Sequence, residues 1–186
     1  MPPSTAARRA SPLWGALLVL CAGSAAAAGT PTELIGEGKK LLGEGSYEGA
    51  LRRFEEAYAA EPAPLTLLAI ADVRMKLGQF ERAARAFERF LAEVPAGQLD
   101  RQRKVASEGL AEALPRLGFL QFDCPVDGVS VSVDRVTVGV TPLAPVRVET
   151  GRREIRAWKA GDRDFTSFVL VRAGATEKVE LEFTPP

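Results

Sequence analysis

Three clusters in this 186-residue chain carry residue types that could do chemistry, and one residue type is missing. Gly36-Glu37-Gly38-Lys39-Lys40 has the glycine and lysine content of a phosphate-cradling loop. Asp162 and Asp164 form a carboxylate pair, the kind of pair that serves acid–base hydrolysis or holds calcium. Arg101, Arg103 and Lys104 make a cationic cluster suited to an anion. Histidine is absent, and cysteine occurs only at Cys21 and Cys124.

Each cluster fails on spacing or setting. Without histidine there is no Ser-His-Asp triad, no Cys-His pair and no imidazole metal ligand. The glycine-lysine run lacks the six-residue frame ending in Lys-Ser/Thr. It falls inside a predicted helix, where Gly38 instead permits close packing. The two aspartates sit in a short turn with no cleft around them, and the basic run fits one solvated face of a helix. The sequence therefore predicts no catalytic residue, no cofactor and no metal, and reads as non-enzymatic. The even balance of 24 basic and 24 acidic groups offers no basic face for nucleic acid.

The elements that position these residues are set by an internal period. Gly45, Tyr47, Ala50, Phe54, Ala57 and Pro62 return 33 residues later as Gly78, Phe80, Ala83, Phe87, Phe90 and Pro95. A period of this size predicts stacked pairs of antiparallel helices. Gly45 and Gly78 end the first helix of each pair, where a positive φ is needed. Tyr47 and Phe80 open the second helix, Ala50 and Ala83 let axes approach, Phe54 and Phe87 lie on the same face, and Pro62 and Pro95 stop it. Two pairs do not bury a continuous core. The stretch from Leu99 to Leu114 is predicted as a fifth, capping helix with Val105, Ala106, Leu110, Ala113, Leu114 and Leu117 on one stripe.

From Gly118 the period changes to two: Leu120, Phe122 and Cys124; Val129, Val131 and Val133; Val146 and Val148; Val179, Leu181 and Phe183. Turns at 125–128, Asp134-Arg135, 139–142, Gly151, Gly161-Asp162 and Gly174 separate short strands. The fold class is thus α+β: a helical-repeat solenoid of about five helices over residues 29–117, then a small antiparallel β-sandwich over 118–186.

The helical half resembles the tetratricopeptide repeat at its Gly, Tyr/Phe, Ala, Phe and Pro positions. It departs from that pattern at Phe90, where a small residue is usual, and at Leu41 and Arg74, where an aromatic is usual. The second half resembles the PEGA domain through Pro125-Val126-Asp127-Gly128-Val129, Val131-Ser132-Val133-Asp134, Gly139-Val140-Thr141-Pro142-Leu143 and Gly151. Its first turn is one residue longer than the pattern, and Arg135 replaces a frequent glycine. Together the two resemblances imply an envelope protein of a Gram-negative type without enzymatic activity. In the repeat family the first helix of each pair lines the concave face. Carried over, that face holds Ile35, Lys39 and Leu42 from the first repeat and Leu68, Asp72 and Met75 from the second.

Residues 1–28 read as a secretion signal. Arg8 and Arg9 precede an apolar stretch from Leu13 to Ala22, and the alanines at 25–28 suit cleavage near Ala28. That stretch is too short for a permanent span, so no transmembrane segment is expected after cleavage. Leu20 before Cys21 is too bulky for a lipidation signal. Removing Arg8 and Arg9 from the 24 basic groups leaves 22 against 24 acidic, a net charge near −2. Cys124, then the single cysteine, suits a small buried apolar role.

The function expected from all this is an exported scaffold or adaptor in the periplasm or cell envelope, holding a protein partner on its helices. The open ends of a two-repeat array also suit self-association. An alternative is a cell-wall or glycan-binding protein acting through the β domain. There Trp158 falls on the strand face opposite Ile155, either exposed or covering the helical half.

Overall fold

Thr30 starts the first helix by a reciprocal cap. Its hydroxyl accepts from the Glu33 N–H (3.3 Å), and the Glu33 carboxylate accepts from the Thr30 N–H (2.8 Å). The computed structural model describes residues 29–161 and 164–183. The expected signal segment with Arg8, Arg9 and Cys21, and likewise Asp162, lies outside the described residues.

Five helices follow in order: α1 (Pro31–Gly43), α2 (Tyr47–Ala60), α3 (Pro64–Lys76), α4 (Phe80–Glu93) and α5 (Asp100–Ala113). The two turns within the repeats are built alike. Gly45 (φ +76°) and Gly78 (φ +70°) take the left-handed conformation. Ser46 N–H returns to Leu41 O (2.9 Å) and Gln79 N–H to Arg74 O (2.9 Å), closing each helix with the same six-residue ring. The glycines are required there because a side chain would strain a positive φ.

Small-against-aromatic contacts hold the pairs together. A Cβ on Gly38 would lie 2.7 Å from the Phe54 ring, so α1 rests on α2 through a missing side chain. The glycine-lysine run is therefore a packing surface in mid-helix. One period on, Ala71 is fully buried in the cluster that holds Phe87. A Cβ on Gly109 in α5 would run into that same Phe87 ring. Gly109 thus does for α5 against Phe87 what Gly38 does for α1 against Phe54.

The stripe expected on α5 is narrower than the sequence implied. Ala106 and Ala113 are buried, Leu110 is half-buried, and Val105 and Leu114 are 50% and 44% exposed. Alanine and glycine bring α5 so close to α4 that the bulkier neighbours are left on its flanks. The basic cluster also separates. The Arg103 guanidinium donates to Leu91 O (2.9 Å) and Val94 O at the end of α4, Lys104 pairs with Glu108, and Arg101 stays exposed. Phe90, fully buried, fills the space beside α5. Arg74 stands where an aromatic is usual and pairs with Glu55 across to α2 at 2.7 Å.

A short 3-10 turn (Leu114–Arg116) leads into seven strands: β1 (Leu117–Asp123), β2 (Ser130–Val133), β3 (Val136–Val140), β4 (Val146–Glu149), β5 (Gly151–Trp158), β6 (Phe165–Val171) and β7 (Thr176–Glu180). They form two sheets, β4-β1-β7 and β3-β2-β5-β6. The predicted alternation fills the space between them: Leu120, Phe122, Val129, Val131, Val133, Val148, Val179, Leu181 and Phe183 are all buried. One pairing departs from the expected antiparallel sandwich, since β7 runs parallel to β1. The cause is where β6 delivers the chain. Gly174 N–H bonds Leu117 O and Phe119 N–H bonds Ala175 O, so β7 starts beside the start of β1 and travels with it.

Thr141 ties the two most distinctive turns of this half together. Its hydroxyl accepts from Val129 N–H (3.1 Å) and donates to Val126 O (2.8 Å), while its carbonyl accepts from Gly128 N–H (2.9 Å). A Cβ on Gly139 would lie 2.6 Å from Leu143. The five-residue run 139–143 is thus a close-packed buckle over the 125–129 turn.

Candidate protein-binding site

The six residues expected on the first-helix face divide into two sets. Ile35 and Leu42 are half-buried and pack with Ala50, Phe54, Ile70 and Val73. Leu68 and Met75 are half-buried and pack with the α4–α5 cluster around Ala71, Phe87 and Ala106. Lys39 and Asp72 are exposed, and neither has an ion-pair partner among the described residues. They stand one 33-residue period apart, each beside the small residue (Gly38, Ala71) that seats its helix. The fold thus puts a cation and an anion, without ion-pair partners among the described residues, at equivalent points of neighbouring repeats, on the same two helices as four half-buried apolar side chains. That arrangement offers directional charge contacts with apolar side chains on the same helices, which suits a peptide or a helix.

The β domain is seated chiefly on α4, and Met75 shares a small apolar cluster with Leu117 at the start of β1. Arg147 on β4 grips the Glu88 carboxylate with two hydrogen bonds, at 2.7 and 2.9 Å, and its Nε lies 3.8 Å from Glu81. The fork holds the Glu88 carboxyl below the ordinary carboxylate range, against the opposing effect of burial, and raises Arg147. Glu149 accepts from Glu81 N–H (3.3 Å), Thr150 N–H donates to Arg116 O (3.0 Å), and the Arg116 guanidinium lies 4.8 Å from the centre of the Phe80 ring. None of these links involves Trp158. It is 37% exposed on the outer face of β5 and pairs with Ser130, at the far end of β2 from the seam. Asp164 pairs with Arg156 at 3.5 Å. Sequence reasoning missed Arg147 and Gly109.

The tetratricopeptide repeat model matches residues 41–100, and the PEGA domain model matches residues 122–186. The chain joins tetratricopeptide repeats to a C-terminal PEGA domain. No curated protein matches it. The repeat match covers α2 to α4 with the close of α1, where the period is strictest; α5 lies beyond it. The PEGA match includes both turns tied by Thr141. Tetratricopeptide repeats are protein-interaction scaffolds, both families are non-catalytic, and PEGA domains are typically extracytoplasmic. Among the described residues no helix is long and apolar enough to cross a membrane.

Proposed function

We propose that this protein is an exported, non-enzymatic adaptor of a bacterial cell envelope, holding a protein partner on the first helices of its repeats. The observation that carries this reading is the Lys39–Asp72 relationship. Two opposite charges, exposed and without ion-pair partners among the described residues, occupy equivalent positions one period apart. Such charges are available to a ligand, and Ile35, Leu42, Leu68 and Met75 add half-buried apolar side chains on the same two helices. The signal-like residues 1–28 and the PEGA domain support export, and the missing histidine supports a binding role over a catalytic one.

The test is affinity capture from envelope extract with the full chain, read by mass spectrometry, beside the double charge swap Lys39→Glu with Asp72→Lys. The swap is expected to lose the captured partner while the melting temperature stays unchanged. An unaltered capture profile would sink the reading. The open outer side of α5, where Val105 is half exposed, also suits self-association, which sedimentation velocity reads directly.

A second reading has its own observation. Trp158 presents an exposed aromatic next to Arg156 on the outer sheet face, a surface able to stack on a sugar ring. Cosedimentation of the chain with purified cell wall, lost in Trp158→Ala, would favour wall or glycan binding. A chain that stays in the supernatant excludes it.

A further inference from the structure

A groove of about 920 Å³ runs between α4 and the open side of the β-sandwich. Both sheets end along it. β3 is the terminal strand of one and β4 of the other, and both line the groove. β3 has only β2 beside it, and that ladder is interrupted by a bulge between Val131 and Ser132. Natural edge strands are usually guarded by lysine, proline, a bulge or a covering loop, and of these β3 has only the bulge. β3 reads Val136-Thr137-Val138-Gly139-Val140, with no charge and no proline, and Val136 and Val140 are 53% and 50% exposed. Phe119, 38% exposed, adds an aromatic surface from β1.

The charges along the groove are unevenly engaged. Glu88 is held by Arg147, Glu81 by Arg85 with Arg147 at 3.8 Å, and Asp134 by Arg153, while Glu149 accepts only from the Glu81 N–H. On the α4 wall, Arg82 has no acidic partner among the described residues. Arg85 must share Glu81 with Arg147, and its side chain is 66% exposed. Arginines and carboxylates balance in number here, but Arg82 and Arg85 on the α4 wall are exposed while Glu81 and Glu149 are largely covered, so the cationic groups are the more accessible opposite an uncharged strand edge whose outer backbone groups make no further ladder.

We propose that this groove takes an extended, acidic segment of a partner protein as an added strand on β3. Backbone bonds to β3 supply the pairing, alternate apolar side chains meet Phe119 and the exposed valines, and carboxylates meet Arg82 and Arg85. The surface lies apart from Lys39 and Asp72 and stands independently of the adaptor reading.

The test is fluorescence anisotropy with the full chain and pools of labelled decapeptides in which valine alternates with a varied position. One pool varies Asp, Glu, Ser and Thr; the other varies Lys, Arg, Ser and Thr. The acidic pool is expected to bind saturably, about tenfold or more tighter than the basic pool. N-methylation along one peptide edge is expected to abolish binding. Arg82→Glu with Arg85→Glu is expected to reverse the preference, and the milder Arg82→Gln with Arg85→Gln to erase it, each with an unchanged circular dichroism spectrum. The Lys39→Glu, Asp72→Lys swap is expected to leave binding intact. Equal binding of the two pools, insensitivity to N-methylation or to the arginine variants, or no binding of either pool at millimolar peptide would each overturn the proposal.

Discussion

Arg147 of the PEGA domain and Glu88 of the second repeat meet as a two-pronged ion pair, with only 18% of the arginine side chain exposed. Together with the Glu81–Glu149 and Arg116–Thr150 hydrogen bonds and the packing of Leu117 on Ala84, Ala113 and Met75, this contact sets the orientation of two domains joined by a three-residue 3-10 turn. Removing the arginine leaves Glu88 without its fork and costs about 1–3 kcal/mol, within the range for a partly buried pair. Arg147→Ala is expected to lower the melting temperature at neutral pH while the remaining seam contacts keep the domains together, so that the small-angle scattering profile stays unchanged.

The same pair sets a pH dependence. The Glu88 carboxyl sits below its ordinary value of about 4.5, chiefly through its hydrogen bonds to Arg147. A carboxylate lowered in the folded state contributes stability above its unfolded pKa and loses it as pH falls through the folded value. The advantage of wild type over Arg147→Ala is therefore expected to be full at neutral pH and to shrink steadily below about pH 4.5. Thermal melts of both proteins across that range check it; a constant gap down to low pH would show that Glu88 is not the group involved.

Gly109 and Gly38 make a matched pair of packing tests. Alanine would gain about 1 kcal/mol of helix propensity at either site. It would also drive a Cβ into Phe87 or Phe54, both buried, at a cost of about 1–3 kcal/mol or more. Gly109→Ala is expected to be net destabilising in urea titration. Adding Phe87→Leu should return part of the loss, giving a favourable coupling term in the double-mutant cycle.

Thr141→Val keeps the shape of the side chain and removes its hydroxyl. The Val129 N–H and Val126 carbonyl then lose their partner in a buried setting. A loss of about 2–4 kcal/mol is expected, read by denaturant midpoint, with Thr141→Ser restoring most of it.

Arg135 gives a change in the other direction. Asp134 (φ +47°) and Arg135 (φ +68°) both take the left-handed conformation at the tight β2–β3 turn. Asp134 is retained by Arg153 (2.8 Å) and by Glu154 N–H (2.9 Å), whereas the exposed Arg135 side chain makes no hydrogen bond among the described residues. Arg135→Gly is expected to raise stability by about 0.5–1 kcal/mol as the positive φ ceases to be strained.

What was legible in the sequence follows from which features have few chemical solutions. Gly45 and Gly78 announce their turns because a positive φ selects glycine, and the 33-residue offset repeats that choice. The strand alternation around Leu120, Val131 and Val179 was readable because a buried face imposes period two. That same period is blind to direction, so the parallel β1–β7 pairing could not be read from it. The α5 stripe misled at Val105 because the helix seats itself on Ala106, Gly109 and Ala113, and small residues carry little weight in a hydrophobic pattern. The Arg147–Glu88 seam was invisible: two ordinary surface residues 59 positions apart meet only because α4 and β4 are brought together.

The seating of the β domain on α4 has one more consequence. α4 is a second helix, so the bulk of the PEGA domain leaves the exposed Lys39 on α1 and Asp72 on α3 unobstructed. Ligands on the two halves would then ride on one frame without competing for space. For molecules that must meet each other, such a frame acts as a bivalent tether, replacing bulk encounter with a high local concentration that needs no strong grip on either one.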